Sequence, residues 1–129
     1  MNIAVIFAGG SGLRMHTKSR PKQFLELNGK PIIIYTLELF DNHPEIDGIV
    51  VACIESWIPF LEKMIRKFEI SKVVKIVPGG NSGQDSIYHG LCAAEEFAGG
   101  KDANVLIHDG VRPLITEETI TDNIRKVEE

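Results

Sequence analysis

Nowhere does the sequence approach the roughly 20 uninterrupted apolar residues that a bilayer-spanning helix needs, so no membrane span is expected. Cysteine is scarce. Cys53 and Cys92 stand far apart, each inside an apolar element and outside any paired-ligand spacing, so buried free thiols are expected rather than a disulfide or a zinc site. That usage fits a reducing, cytoplasmic setting. Net positive charge is lacking too: at −4 the chain is a poor match for nucleic acid, whose phosphates attract a basic face. The opening Met1-Asn2-Ile3-Ala4-Val5-Ile6-Phe7 carries neither the basic leader nor the small-residue cleavage site of a secretory signal, and reads as a first buried strand. Repeats and low-complexity tracts are absent. So is any spacing that assembles a nucleophile, a base and an orienting group, which leaves covalent catalysis unsupported.

What is present fits one soluble globular domain, with 129 residues, 43% of them hydrophobic and 25% charged. Isoleucine and valine gather in runs at Ile3 to Phe7, Gly48 to Ile54, Val73 to Val77 and Asn104 to His108, with little polar alternation. Strands buried on both faces have this pattern. Between them lie segments of helical length, Pro31 to Phe40, Pro59 to Ile70 and Gln84 to Ala98. Pro31 and Pro59 sit where helices begin, and Leu61, Ile65 and Phe68 form one stripe. The β-branched run Ile32-Ile33-Ile34 favours a strand, but Pro31, Leu37 and Phe40 favour a helix, which is the reading adopted. A last helix is expected from about Thr116, with Ile120, Ile124 and Val127 as its apolar stripe. Strand and helix thus alternate, predicting an α/β fold: a Rossmann-like open, mostly parallel sheet with helices on both faces. Ligands in such folds bind beyond the carboxyl ends of the strands, so the loops after Phe7, Val77 and His108 should converge.

Those loops carry the unusual residues. The first, Ala8-Gly9-Gly10-Ser11-Gly12-Leu13-Arg14-Met15, is a glycine-rich turn whose backbone amides can approach phosphate oxygens. It lacks the Gly-Lys-Ser/Thr of a Walker loop, and Met15 stands where the dinucleotide fingerprint needs a third glycine. Downstream, Arg14, Lys18, Arg20, Lys22 and Lys30 face only Glu26, a local excess that suits a small polyanion. Arg14 and Lys22 are the candidates to stabilise charge that builds on transferring phosphate, while Lys18, Arg20 and Lys30 read as solvated. In the second loop, Pro78-Gly79-Gly80-Asn81-Ser82-Gly83-Gln84-Asp85-Ser86, Asn81 and Ser86 have the donors and acceptors to read a nucleobase edge, and Ser82 or Asp85 can also cap the helix that follows. The third loop, His108-Asp109-Gly110-Val111-Arg112-Pro113, puts a carboxylate at a strand tip, where Asp109 can bind magnesium. Arg112 either meets an anionic second substrate or pairs with Asp109. His108 reads as a packed strand-end residue, and His16, His43 and His89 as surface residues.

Taken in order, Ala8 through Met15, Pro21-Lys22-Gln23-Phe24-Leu25, Gly79-Gly80 through Gln84-Asp85-Ser86, and His108 through Pro113 resemble the IspD/TarI-like cytidylyltransferase family over nearly the whole chain. The resemblance implies a nucleotide-diphospho-sugar transferase type of fold and transfer of CMP from CTP to a polyol phosphate, either 2-C-methyl-D-erythritol 4-phosphate or D-ribitol 5-phosphate, with release of pyrophosphate and use of Mg2+. It also implies Arg14 and Lys22 as catalytic residues, Ala8, Gly9, Gly10, Gly12, Gly80, Asn81, Asp85 and Ser86 as CTP contacts, Asp109 as the metal ligand, and Arg112 toward the acceptor. Ala8-Gly9-Gly10 and Val111 lean toward the ribitol branch, whereas Gln84-Asp85-Ser86 is written in the methylerythritol style. Gly83 stands where the family usually has arginine, and Asn81 where it often has aspartate. Family members continue for about as long again, so the expectation is a truncated form that keeps the nucleotide crevice, with a homodimer expected only where the C-terminal part is present. Rival readings are a non-catalytic nucleotide-binding module and a sugar-nucleotide pyrophosphorylase using another base.

Overall fold

The structure is a computed structural model that describes residues 1–8, 24–79, 83–109, 120–122 and 124–125, without the side chains of residues 8, 83–85 and 109. In chain order the elements are β1 (Asn2–Ala8), β2 (Glu26–Leu27), β3 (Lys30–Pro31), α1 (Ile32–Asp41), β4 (Gly48–Cys53), a 3-10 turn (Glu55–Trp57), α2 (Ile58–Lys67), β5 (Val73–Pro78), α3 (Gly83–Ala98) and β6 (Asn104–Asp109). Helical residues follow at 120–122 and 124–125.

The main sheet runs β5-β4-β1-β6, and each neighbouring pair is parallel. Every residue of β4 is buried, as its Gly-Ile-Val-Val-Ala-Cys composition requires of a strand covered on both sides. Side chains alternate between the two faces. Ile3 and Val5 join Val50, Ala93, Ala94 and Ala98 under α3, while Ala4 and Ile6 join Ile33, Leu37, Phe40, Leu61 and Ile124 on the opposite face. The α/β sheet with helices on both faces therefore stands as the sequence implied.

On the α3 face small residues permit a close approach. A Cβ added to Gly90 would lie 2.5 Å from Val5 Cγ1, so at that position only glycine fits without a shift. On the other face the β-branched run does form a helix: Ile33, Ile34, Leu37 and Phe40 of α1 are fully buried, or nearly so, and tertiary packing overrides the local strand preference. Pro31 is not its first helical residue. It pairs with Glu26 in the β2–β3 hairpin, which turns through Asn28 and Gly29, both at positive φ (57° and 81°) as a type I′ turn demands. Ile32 N–H donates to Leu25 O (2.9 Å), closing the base of that hairpin. Lys30 binds Glu38 at 2.7 Å and lies over the Tyr35 ring, a structural role.

α2 opens with proline in its first turn and ends three residues before Ile70, because Glu69 turns left-handed at φ 57°. Its buried residues are Leu61 and Met64; Ile65 and Phe68 pack against the core from partly buried positions. Two expectations are corrected. His43 is not a surface residue: it is 1% exposed, accepts Glu45 N–H at Nδ1 (3.0 Å), and so carries its ring proton on Nε2, 2.8 Å from Thr121 Oγ1. Cys92 is free but exposed, on the solvent side of α3, whereas Cys53 is free and buried.

Candidate active site

The strand registers bring the carboxyl ends of β1, β4, β5 and β6 to one end of the sheet. Ala8 lies beside Cys53, Cys53 beside Pro78, and Phe7 beside Asp109, so β1, β4, β5 and β6 all terminate in one row. With strands about 4.8 Å apart, the row from β5 to β6 spans roughly 14 Å. Chain order reverses direction between β1 and β6, since β4 and β5 add on one side of β1 and β6 adds on the other. That reversal is where open α/β sheets leave a crevice. The glycine-rich first loop leaves β1 there, and Asp109 ends the adjacent strand.

At the β5 end, Gly79 N–H donates to Cys53 O at 2.7 Å, continuing the ladder one residue past the strand. Ser86, in the first turn of α3, is fully buried directly beneath: a Cβ on Gly79 would sit 3.0 Å from its Oγ. His89 Nδ1–H donates to Pro78 O at 2.9 Å, tying α3 to the strand end while the ring stays exposed. The 16-residue α3 thus starts at the row, and its N-terminal amides and dipole favour an anion there. His108 packs against Phe40 with ring centroids 5.6 Å apart, the structural role its position predicts. Burial pushes the Cys53 thiol up to about 12, which keeps it protonated beneath the row.

Of the sequence-derived candidates, Gly9, Gly10, Gly12, Arg14, Lys22, Gly80, Asn81 and Arg112 lie outside the described residues. Ala8 and Asp109 are placed by their backbones at strand ends, and Asp85 by its backbone in the first turn of α3. Among the described residues no cluster of three or more His, Cys, Asp or Glu can hold a metal, and no helix is long and apolar enough to cross a membrane. The sequence reading missed an aromatic cluster close to this row. Phe24, fully buried, stacks on Trp57 (5.0 Å, 14°) and meets Phe60 edge-on (5.6 Å, 83°). The signal for it was the phenylalanine of the Pro21 to Leu25 motif, read only for its lysine.

The sequence model of the family "IspD: 2-C-methyl-D-erythritol 4-phosphate cytidylyltransferase" matches residues 2–129. The chain belongs to the IspD family. It is 54% identical over 129 residues to a ribitol-5-phosphate cytidylyltransferase of Streptococcus agalactiae serotype III (strain NEM316), covering 100% of this chain and 54% of that protein. It is 56% identical over 127 residues to a ribitol-5-phosphate cytidylyltransferase of Vibrio parahaemolyticus serotype O3:K6 (98% and 53% covered). Against a 2-C-methyl-D-erythritol 4-phosphate cytidylyltransferase of Clostridium botulinum (strain 657 / Type Ba4) the identity is 46% over 127 residues (98% and 53%). The solved 4-diphosphocytidyl-2C-methyl-D-erythritol synthase of Anaerococcus prevotii DSM 20548 superposes with a TM-score of 0.77 at 27% identity, covering 99% of this chain and 51% of the other. The chain spans about half the length of the curated relatives it matches.

Proposed function

We propose that this chain forms the nucleotide-binding half of a cytidylyltransferase that passes CMP from CTP to a polyol phosphate. The observation that carries the reading is the row of strand ends: a glycine-rich loop and a carboxylate leave adjacent strands at the point where strand order reverses, inside a chain of the IspD family. D-ribitol 5-phosphate is the acceptor favoured, because the relatives at 54% and 56% identity bear that name while a methylerythritol relative stands at 46%.

In this reading the first loop and the start of α3 hold the nucleotide, with Ala8, Gly9, Gly10, Gly12, Gly80, Asn81, Asp85 and Ser86 as contacts. An acceptor phosphate oxygen attacks the α-phosphorus of CTP, a new P–O bond forms, and the bond to the β-phosphate oxygen breaks to release pyrophosphate. Charge accumulates on the α-phosphate oxygens and on the leaving group; Arg14, with its bidentate fork, and Lys22, a point charge, stabilise both. Alignment of the two phosphates supplies the remainder, with no covalent intermediate. In this reading a carboxylate at the end of β6 suits magnesium, which takes one or two carboxylates and completes its shell with phosphate and water. Asp109 would hold that ion, and the ion supplies neutralisation of triphosphate charge. Arg112 would bind the anionic acceptor.

Calorimetric titration of the chain with CTP, UTP, GTP and ATP in magnesium buffer tests the reading. Selective CTP binding is expected, weakened by Asp109→Asn; equal affinity for the four nucleotides removes the cytidine assignment. Pyrophosphate release measured with each acceptor, on a chain extended beyond Glu129 to the relatives' full length, then separates transfer chemistry from nucleotide binding alone, with Arg14→Ala expected to abolish release while leaving CTP bound.

A further inference from the structure

One bend in the chain holds the terminal helical residues, and it does so through a histidine with no place for a second proton. Beyond α1 the chain turns at His43, Pro44 and Glu45; Ile46 N–H on His43 O (3.2 Å) closes the bend, and Asn2 Nδ2–H on Glu45 O (2.8 Å) pins it to β1. Two side chains of the bend then reach far down the sequence. The His43 ring donates through Nε2–H to Thr121 Oγ1 at 2.8 Å, and the Glu45 carboxylate takes the Arg125 guanidinium through two contacts, at 3.0 and 3.1 Å. On the same helical stretch Ile120 and Ile124 are fully buried in the larger core cluster.

Both nitrogens of the buried His43 ring are committed, since Nδ1 accepts Glu45 N–H at 3.0 Å. An imidazolium carries a hydrogen on each nitrogen and accepts at neither. A proton on Nδ1 would therefore point at the Glu45 N–H, and either the ring or the bend would have to give way. Among the described residues the neighbouring carboxylates are already engaged: Glu45 by Arg125, Asp41 by the N–H groups of Ser71 and Lys72, and Asp47 by Asn2 N–H at 2.7 Å. Asp122, on the terminal helical stretch, is exposed. A cation is also close to the bend, because the Lys72 ammonium donates to His43 O at 2.7 Å.

We propose that His43 is an acid-sensitive latch: on taking up a proton it lets go of the Glu45 N–H, the bend opens, and the terminal helical residues leave the core while the sheet stays folded. The sign follows from linkage. The latched state holds the ring neutral and the released state lets it charge in water, so release binds a proton and acid favours it, by about tenfold in the opening equilibrium per pH unit below about pH 6. Thr121 and Arg125 ride on one short helical stretch, so loss of the first tie weakens the second. The sheet does not depend on either, since β1, β4 and β5 pair through registers that neither tie enters. The latch is independent of the nucleotide reading.

Amide hydrogen exchange of the whole chain, followed by NMR between about pH 8 and pH 5 and corrected for the intrinsic pH dependence of exchange, tests it. The amides of Ile124 and Arg125 report on the latch, and those of Val50 and Val51 in β4 are the reference. Protection at Ile124 and Arg125 is expected to fall by about tenfold per pH unit toward the acid end while β4 stays level. His43→Asn keeps an acceptor for the Glu45 N–H but takes no charge, and should remove the pH dependence. Thr121→Val should lower protection at the alkaline end by about tenfold. Arg125→Gln breaks the ion pair alone and should leave the pH dependence in place. A response that vanishes in Arg125→Gln, or one that begins only below about pH 5 where carboxylates titrate, assigns the effect to Glu45 and overturns the latch. Level protection at Ile124 and Arg125 across the range overturns it too, as does parallel loss at Val50 and Val51, which would be global unfolding. Where His43→Asn does not fold, the imidazole nitrogens of the parent chain are read by NMR over the same range; a ring protonated at Nδ1 while Ile124 and Arg125 remain protected refutes the proposal.

Discussion

Gly90→Ala puts the packing of α3 on β1 to a test whose sign is decided by two opposing magnitudes. Alanine in a helix interior is favoured over glycine by about 1 kcal/mol, so a solvent-facing position would gain stability. At Gly90 the new Cβ would stand 2.5 Å from Val5 Cγ1, about 0.9 Å inside the 3.4 Å at which ordinary contact begins. Val5 has little freedom to yield. It is fully buried, its β-branched side chain is stiff at χ1, and its backbone is held in register between Val50 and Ile107. Overpacking of a tight core costs about 1–3 kcal/mol, so the net expectation is a destabilisation of about 1 kcal/mol, or roughly 4 °C in Tm. Urea denaturation followed by circular dichroism measures it. Repeating the substitution in a Val5→Ala background, where the colliding methyl is gone, should make it neutral or stabilising, with a coupling of about 1–2 kcal/mol. A Gly90→Ala chain more stable than the parent, or one whose effect is the same in both backgrounds, would refute the close approach.

Thiol labelling of the folded chain near pH 8 should modify Cys92 and spare Cys53, and a second thiol should react only in denaturant. Because burial raises the Cys53 pKa from 9.0 to about 12, the folded chain retains between those values a proton that the unfolded chain has released; this group's contribution to stability is full below pH 9 and falls as pH rises toward 12, as pH-dependent denaturation would show. Gly29→Ala, at φ 81° with open space around the added Cβ, should cost about 1 kcal/mol from backbone strain alone, and an effect below a few tenths in urea denaturation would contradict the type I′ turn. Asp41 accepts the N–H groups of Ser71 (3.0 Å) and Lys72 (2.6 Å), so Asp41→Ala should cost about 2 kcal/mol and raise amide exchange at those residues, whereas unchanged exchange would dismiss the clamp.

The strands were legible because each is short and apolar, a pattern that needs no partner to be recognised; β1, β4, β5 and β6 fall within one or two residues of the runs that announced them, although burial on both faces holds throughout only for the central β4, while the edge strands β5 and β6 leave Val74 and Ile107 exposed. The β2–β3 hairpin was not, since two-residue strands carry no periodicity, although Asn28-Gly29 was its visible signal. His43 was misjudged for a different reason: what buries and satisfies it is Thr121, 78 residues further on, which no local pattern reveals. At the site, sequence supplied the identities and the structure supplied the row. The alignment of the strand ends from which the three loops leave follows from register, whereas the aromatic enclosure of Phe24 depends on a turn after β4 that lies more than thirty residues downstream in the chain.

The strand order also dictates when the row of strand ends can be complete. β1, β4 and β5 with α3 need only the first 98 residues, but β6 joins β1 at Asn104 opposite Asn2, where Asn104 Nδ2 donates to Asn2 Oδ1 across 102 positions of sequence. A pairing of such range is slow to close. As the chain emerges from the ribosome, then, β1, β4 and β5 with their helices assemble first, and the strand bearing Asp109 joins afterwards, followed by the core residues Ile120 and Ile124. Nascent chains halted before that residue would fold in part, yet lack the strand that completes the row of carboxyl ends.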